Sequence, residues 1–397
     1  MLWIAIRMLT GDAQKFYGLV FGIAFSTLLI TQQLTIFVNL IERGASGVYN
    51  VSSADVWVMD PVSRTSDVAY ALPSTALDKV RSVPGVEWAV PHIRAQASVR
   101  TKDGDLEGVA VIGVDDATLI GLPKRMLEGS SDVLSRPDSV IIDDVGTTRM
   151  FPGQSPIGER LELNDQRAVI RGIADAIPSF TSTVVLYTKY SQALNYVPGT
   201  RNRLSFVLVG AEDPMQAKAL SERIERETGL KARTRDEFAQ DGIDFIIENT
   251  GIPLNFGITV ALGFIVGVAI VGLTFSLFIR DNIKQFGALK AIGVTNRKIR
   301  RMVAVQAGLV GLIGYGLGVI GTVFFIWGFS SNPTFKGFYI PWQIPLVSLV
   351  AVFLILALTG WLALRNVLKT EPASVFRCKR SCSSRLRHSR LGLQPGK

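Results

Sequence analysis

RDNIKQFGALKAIGVTNRKIRR, residues 280–301, is a basic island between two long uncharged runs. Ile283, Phe286 and Leu289 recur every three residues while Lys284, Gln285 and Lys290 point elsewhere, which predicts an amphipathic helix. Gly293 ahead of β-branched Val294 supplies its stop, and Thr295 or Asn296 can cap a second helix. The charge run alone fits a basic connector held by phosphate headgroups. The amphipathic register with its glycine-punctuated turn argues for more, a hairpin shaped to dock onto another protein.

Working outward, four windows contain no Asp, Glu, Lys or Arg: Phe16–Ile41, Asn249–Ile279, Met302–Phe335 and Gly337–Leu364. Each is longer than the roughly 20 residues an α-helix needs to cross a hydrocarbon core. Four spans are therefore expected, at 16–41, 253–279, 302–328 and 343–364, with the hairpin at 280–301 joining the second and third. A chain that is 48% hydrophobic is too apolar overall for an ordinary soluble enzyme of this size.

The cations fix an expected orientation. Arg7 and Lys15, the hairpin, and Arg365, Lys369 and the basic tail 365–397 fall on one side of the spans, which the positive-inside bias assigns to the cytoplasm. Both termini are then cytoplasmic. The stretch 42–252 holds 30 acids and 23 bases, net −7, against +9 for the whole chain. The basic balance is a topology signal, and nucleic acid is not an expected partner.

Residues 1–15 read as a short interfacial elbow helix. A secretory leader is the competing reading, weakened by the length of the apolar run and the absence of an A-x-A-like site. Gln32, Gln33 and Asn39 in the first span are expected to face a neighbouring helix or a wet cavity. Residues 38–48 would continue that helix as a stalk. Gly263-x-x-x-Gly267 and Gly314-x-x-x-Gly318 place small residues on one helical face for close packing. Gly316-x-Gly318-x-x-Gly321 lies inside an apolar helix with no strand before it, so it is no dinucleotide fingerprint. Trp327, Phe338, Tyr339 and Trp342 form an interfacial aromatic group.

Between the first two spans, 42–252 reads as a large α+β domain of two lobes. Strands are expected at 55–59, 86–90, 95–100, 107–114, 204–209 and 231–234, with helices at 73–83 and 214–228 and an Asp103-Gly104 hairpin turn. These give a split β-α-β lobe (about 47–114 and 199–245) interrupted by a β-rich lobe (about 115–198), with strands at 139–142, 160–163, 166–172 and 183–187. Asp143-Asp144 and Asp115-Asp116 are read as solvated turn residues, since adjacent acids on a strand point to opposite faces and cannot share a cation.

Catalytic chemistry is thinly represented. The sequence has no Gly-x-x-x-x-Gly-Lys-Ser/Thr loop and no G-x-S-x-G, and its two histidines, His92 and His388, leave no paired-His zinc motif. Cys378 and Cys382 lie in the tail, where cytoplasmic thiols stay reduced. No catalytic, cofactor or metal site is expected.

GALKAIGV at 287–294, the basic helix after it, the glycine-rich third span and the closing TEPASVFR at 370–377 resemble the FtsX/MacB-like permeases of ABC transporters. That resemblance covers nearly everything to Arg377, and its exporter branch with an unfused ATPase, the DevC-like proteins, is the most similar. It implies an inner-membrane permease that homodimerises and binds a separate ATPase subunit, which holds ATP and Mg, through the hairpin. Gly287, Leu289, Lys290, Ala291, Ile292 and Gly293 match the family's hairpin, and Ile283, Lys284 and Phe286 complete the implied coupling face. Gln285 departs from it, standing where relatives often carry an acid, and the tail after Arg377, suited to anionic lipid, departs too. The resemblance further implies a periplasmic core domain moved by ATP-driven closure, export of a lipid, glycolipid, peptide or drug-like substrate, a periplasmic adaptor and an outer-membrane channel. The alternative it carries is a transmembrane regulator that activates a cell-wall hydrolase. A membrane enzyme is a third class, disfavoured by the missing nucleophile and base.

Overall fold

The computed structural model describes residues 3, 7–9, 11–51, 53–100, 104, 106–180, 184–197, 199, 203–329, 332 and 335–368. Asp103, Thr183, the closing 370–377 motif, both cysteines and part of the elbow lie outside these. The chain divides into two compact units: Met1–Leu34, Gly257–Phe325 and Ile340–Lys397 form one, Thr35–Phe256 and Ile326–Tyr339 the other.

The first long helix, α1 (Ala13–Glu42), runs into a 3-10 turn at Arg43–Ala45 and a short helix α2 (Ser46–Tyr49). Beyond them lies the α+β domain. Its elements are β1 (Val56–Met59), β2 (Leu72–Pro73), α3 (Thr75–Arg81), β3 (Val86–Arg100), β4 (Leu106–Val114), β5 (Met126–Glu128), β6 (Ser139–Asp143), α4 (Asp144–Met150), β7 (Arg160–Leu163), β8 (Gln166–Ala174), β9 (Val184–Lys189), α5 (Tyr190–Tyr196), β10 (Arg203–Leu204), β11 (Phe206–Ala211), α6 (Ala217–Thr228), β12 (Lys231–Thr234) and α7 (Arg235–Asn249).

One sheet runs through both lobes in the order β12-β1-β11-β3-β4-β9-β6-β8-β5, with β7 against β3 and β8. In the split lobe the period of two decides the layers. Val56 and Val58 of β1, with Val207 and Val209 of β11, pack on one face with Val80, Leu220 and Ile224. Trp57 and Met59, with Phe206 and Leu208, turn to the other face, where Ala45, Val48, Phe238 and Ala239 cover them. Helix α7 starts at a full capping box, Thr234 Oγ1 accepting from Glu237 N and the Glu237 carboxylate from Thr234 N, so two orphan donors are satisfied at once.

Several elements differ from the sequence reading. The strands expected at 86–90 and 95–100 are one strand, β3, which pairs β11 up to His92↔Phe206 and β4 from Ile93↔Gly113. Pro91, with the polar His92 and Arg94 on either side of buried Ile93, obscures the apolar alternation without breaking the backbone pairing. The lobes therefore meet within β3, and β4 belongs to the inserted lobe, where Val109 and Val111 share a core with Val140, Ile170 and Leu186. Residue 115 is not the boundary. Pro73 is in a two-stranded pairing with Arg203, and its helix begins at Thr75. The strand expected at 204–209 is split at Ser205, whose Oγ accepts from Arg94 N and donates to Arg94 O, 2.9 and 3.1 Å.

Asp143 and Asp144 are not solvated turn residues. Asp143 is buried and caps α4, its Oδ1 accepting from Gly146 N at 3.1 Å and Val185 N at 3.0 Å. Asp144 is ion-paired to Lys336. Asp115 stays local, its Oδ2 accepting from Thr118 N, whereas Asp116 Oδ1 accepts from Ser191 N in α5, 75 residues along the chain.

The remaining elements are α8 (Ile252–Asp281), α9 (Ile283–Ala291), α10 (Asn296–Phe329) and α11 (Gln343–Leu368). Helices α1, α8, α10 and α11 are each long and apolar enough to cross a membrane. Within their unit, the glycines set the approach of the helices to α1. A Cβ on Gly267 would lie 3.0 Å from Ser26 Cβ, and one on Gly263 3.4 Å from Leu29 Cβ. On α10, a Cβ on Gly318 would come within 2.6 Å of the Ala24 carbonyl oxygen. Thr27 and Thr359 return their hydroxyls to the carbonyls of Ile23 and Ile355, so these polar groups are satisfied inside their own helices.

Candidate coupling site

The segment joining α8 to α10 is a helix, a tight reversal and a second helix. Gly293 has φ +91°, the left-handed region that glycine enters at no steric cost. Gly293 N donates to Lys290 O at 3.0 Å and Val294 N to Leu289 O at 3.0 Å, the paired bonds of a Schellman motif. Thr295 O then accepts from Lys298 N and Ile299 N as α10 begins. Two feet anchor this reversal, Ile299, fully buried, and Val294 packed beside it in the core of the membrane unit with Phe275, Phe278 and Val303.

The residues expected to form the coupling face divide. Ile292, at the apex, is 82% exposed, an unusual position for a large aliphatic side chain outside a span. Gly293 is exposed beside it. Ile283, Leu289 and Lys290 are half-buried and Gly287 is buried, so the apolar stripe of α9 is turned partly into its own unit. The backbones of Lys284, Phe286 and Ala291 lie in α9, but their side chains are outside what the structure describes. Arg297, Lys298, Arg300 and Arg301 are all exposed in the first turns of α10, with no acid in the first turn. Cations there oppose the helix dipole, so helix stability does not explain them.

The elbow meets this segment. Leu9 is fully buried in the membrane core, the Arg7 guanidinium lies 4.7 Å over the Trp3 ring, and Lys15 pairs with Asp12 and, at 2.6 Å, with Asp281 at the end of α8. Trp3, Arg7, Asp12, Asn282 and Gln285 line a cleft of about 540 Å³. Gln285 thus faces the elbow's cleft. The sequence reading missed the Lys15–Asp281 link because the two are far apart in the chain and both sit at span ends, where charges are expected for other reasons.

Of the polar residues of the first span, Asn39 is buried and makes a reciprocal pair with Tyr339, Nδ2 donating to its carbonyl at 2.7 Å and Oδ1 accepting from its N–H at 3.1 Å. Gln32 and Gln33 are half-buried.

Comparison with known proteins places these features. The macrolide export ATP-binding/permease protein MacB of Photorhabdus laumondii subsp. laumondii is 25% identical over 380 residues, 89% of this chain and 56% of that protein. The probable syringafactin export ATP-binding/permease protein SyfD of Pseudomonas syringae pv. tomato is 23% identical over 336 residues, 78% of this chain and 48% of that protein. The chain spans about half the length of these curated relatives. Among solved structures, the periplasmic region of MacB from Actinobacillus actinomycetemcomitans is similar at 17% identity and a TM-score of 0.36, covering 51% of this chain and 95% of that one. The MacB-like periplasmic core domain matches residues 17–227 and the FtsX-like permease C-terminal domain residues 257–372, and with both halves so assigned the chain belongs to the FtsX/MacB-like family of ABC transporter permeases.

Proposed function

We propose that this permease couples ATP hydrolysis in a separate ATPase subunit to movement of its α+β domain, and that the movement drives export of an amphiphilic substrate. The observation that carries this reading is the reversal at Gly293, which holds Ile292 out into solvent beside a basic helix start, between two membrane helices. An exposed aliphatic apex on a rigid turn is a shape a partner's groove can take. The relatives' names, macrolide export and syringafactin export, support a lipid, glycolipid, peptide or drug-like substrate. The hairpin and both termini lie in the cytoplasm in this reading, with the α+β domain on the far side of the inner membrane, and the permease works as a homodimer with a periplasmic adaptor and an outer-membrane channel.

Co-purification tests it. The chain should carry an ABC-type ATP-binding subunit with it, and an adaptor when the outer-membrane partners are present. Recovery of a peptidoglycan hydrolase without an adaptor would overturn export in favour of cell-wall regulation. Topology is checked with a Gln285→Cys variant lacking Cys378 and Cys382, which a reagent confined to the exterior should leave unmodified.

A further inference from the structure

Between Met302 and Leu364, Lys336 is the lone charged side chain. A single cation at a membrane edge ordinarily extends into water. Here it turns to the inserted lobe and meets two carboxylates from separate elements, Asp144 at the start of α4 and, at 3.5 Å, Asp175 just after β8.

The loop carrying Lys336 is held from its other side by the outer end of α1. Asn39 makes its reciprocal pair with the Tyr339 backbone, the Tyr339 hydroxyl donates to Glu42 at 3.0 Å, and Arg43 Nη2 donates to the Lys336 carbonyl at 2.9 Å while its guanidinium stacks 4.6 Å over Phe338. Further along the same helical segment, Asn50 repeats the device on the inserted lobe: Nδ2 donates to Ile177 O at 2.9 Å and Oδ1 accepts from Ile177 N at 2.8 Å. Each asparagine presents an amide edge to a loop backbone as a neighbouring strand would, which fixes both position and direction.

These contacts close on themselves. From Asn39 the path runs to Tyr339, back along the loop to Lys336, across to Asp175, along the chain to Ile177, and through Asn50 and the helical segment to Asn39 again. The ring surrounds a cleft of about 590 Å³. We infer that Lys336 is the clasp of this ring, joining the loop before the fourth span, the outer extension of the first helix and the inserted lobe into one mechanical body. The inserted lobe is joined to the split lobe through the shared strand β3, and the ring adds an attachment to the segment that continues directly into α11. The value of that attachment for transport rests on the coupling role proposed above; the ring does not.

Hydrogen–deuterium exchange of the full chain in lipid nanodiscs, with no ATPase present, tests the ring by itself. Lys336→Met should speed exchange at 174–178 and 335–339 by about tenfold or more, since opening reports local stability. Asn39→Ala, whose hydrogen bonds lie on the far side of the ring, should speed 174–178 as well. Lys336→Arg should keep wild-type exchange, and Lys218→Met, at a distant exposed pair, should change neither segment. If Asn39→Ala loosens only 335–339, or Lys336→Met leaves 174–178 unaltered, the ring is not a cooperative body and the inference fails. Should Lys336→Met loosen the whole domain, Lys336→Arg decides: exchange like that of Met overturns the clasp, exchange like wild type upholds it. A ring that passes while Lys336→Met transports normally removes the coupling role and leaves the ring standing.

Discussion

Gly314 backs onto Ile23: a Cβ on the glycine would lie 2.7 Å from Ile23 Cβ and 3.0 Å from the Val20 carbonyl oxygen. Gly316, two residues on, has nothing within 4 Å of the same position. The pair makes a controlled comparison, because alanine gains the same helix propensity at either site, about 1 kcal/mol at most. Gly316→Ala should leave the melting temperature of the purified chain unchanged or raise it. Gly314→Ala should lower stability by about 1–3 kcal/mol, the usual cost of forcing an extra methyl into a packed contact. Equal melting of the two variants would show that α10 does not pack on α1 through this glycine.

Gly293 makes a different demand. Its φ of +91° is a conformation in which a β-branched residue costs about 1–3 kcal/mol, and the Schellman bonds that aim Ile292 outward depend on it. Gly293→Val should leave membrane insertion intact and abolish stimulation of transport by ATP. Ile292→Ser, which keeps the turn and removes the exposed apolar surface, should weaken ATPase binding measured by co-purification. Lys290→Glu should weaken it too. Normal transport in Gly293→Val together with normal binding in Ile292→Ser and Lys290→Glu would return the hairpin to the status of a basic connector on phosphate headgroups.

How far the sequence could be read followed from the range of the interactions. The spans were legible because an uncharged run longer than a bilayer is a local property, and β12 at Lys231–Thr234 and β7 at Arg160–Leu163 were legible because a strand's alternation is local too. The Gly293 stop was legible for the same reason. The continuity of β3 was not, since what carries it past Pro91 is pairing with β11 and β4 from distant parts of the chain. Asp143 and Asp144 looked like exposed acids until Val185 N and Lys336, 42 residues and farther along the chain, came to meet them. Lys336 itself left a trace in the sequence, a single charge between two uncharged windows, but its partners are set by the fold.

The capping box at the start of α7 gives a prediction within the α+β domain. Thr234→Ala removes the acceptor for Glu237 N, and N-cap losses of this kind cost about 1 kcal/mol. Glu237 also pairs with the largely exposed Lys218, a contact worth little by itself. Lys218→Ala should therefore change stability by well under the effect of Thr234→Ala in the same denaturation experiment, and the reverse order would contradict the capping account.

Two buried groups should tilt the domain's stability with pH in opposite senses. Burial, reinforced by the nearby Arg94 charge, pushes the His92 imidazole down to about 3 from 6.5. A depressed folded-state pKa means stability that is present above pH 6.5 and lost as pH falls toward 3, by up to about 5 kcal/mol. Burial pushes the Asp143 carboxyl up to about 6 from 3.8, against the pull of its two backbone donors. A raised folded-state pKa means stability that is present below pH 3.8 and lost as pH rises through 6, by about 3 kcal/mol. Asp143→Asn keeps an acceptor for Gly146 N and Val185 N and cannot ionise, so it should remove the decline between pH 4 and 6 and steepen the net acid sensitivity that His92 leaves behind. His92→Phe, set among Trp57 and Phe206 with ring centroids 5.6 and 6.2 Å away, should do the opposite and flatten the loss on acidification. The readout is the slope of unfolding free energy against pH, which cancels any uniform cost of the substitution, and slopes unchanged from wild type in both variants would mean that neither group titrates differently in the folded chain.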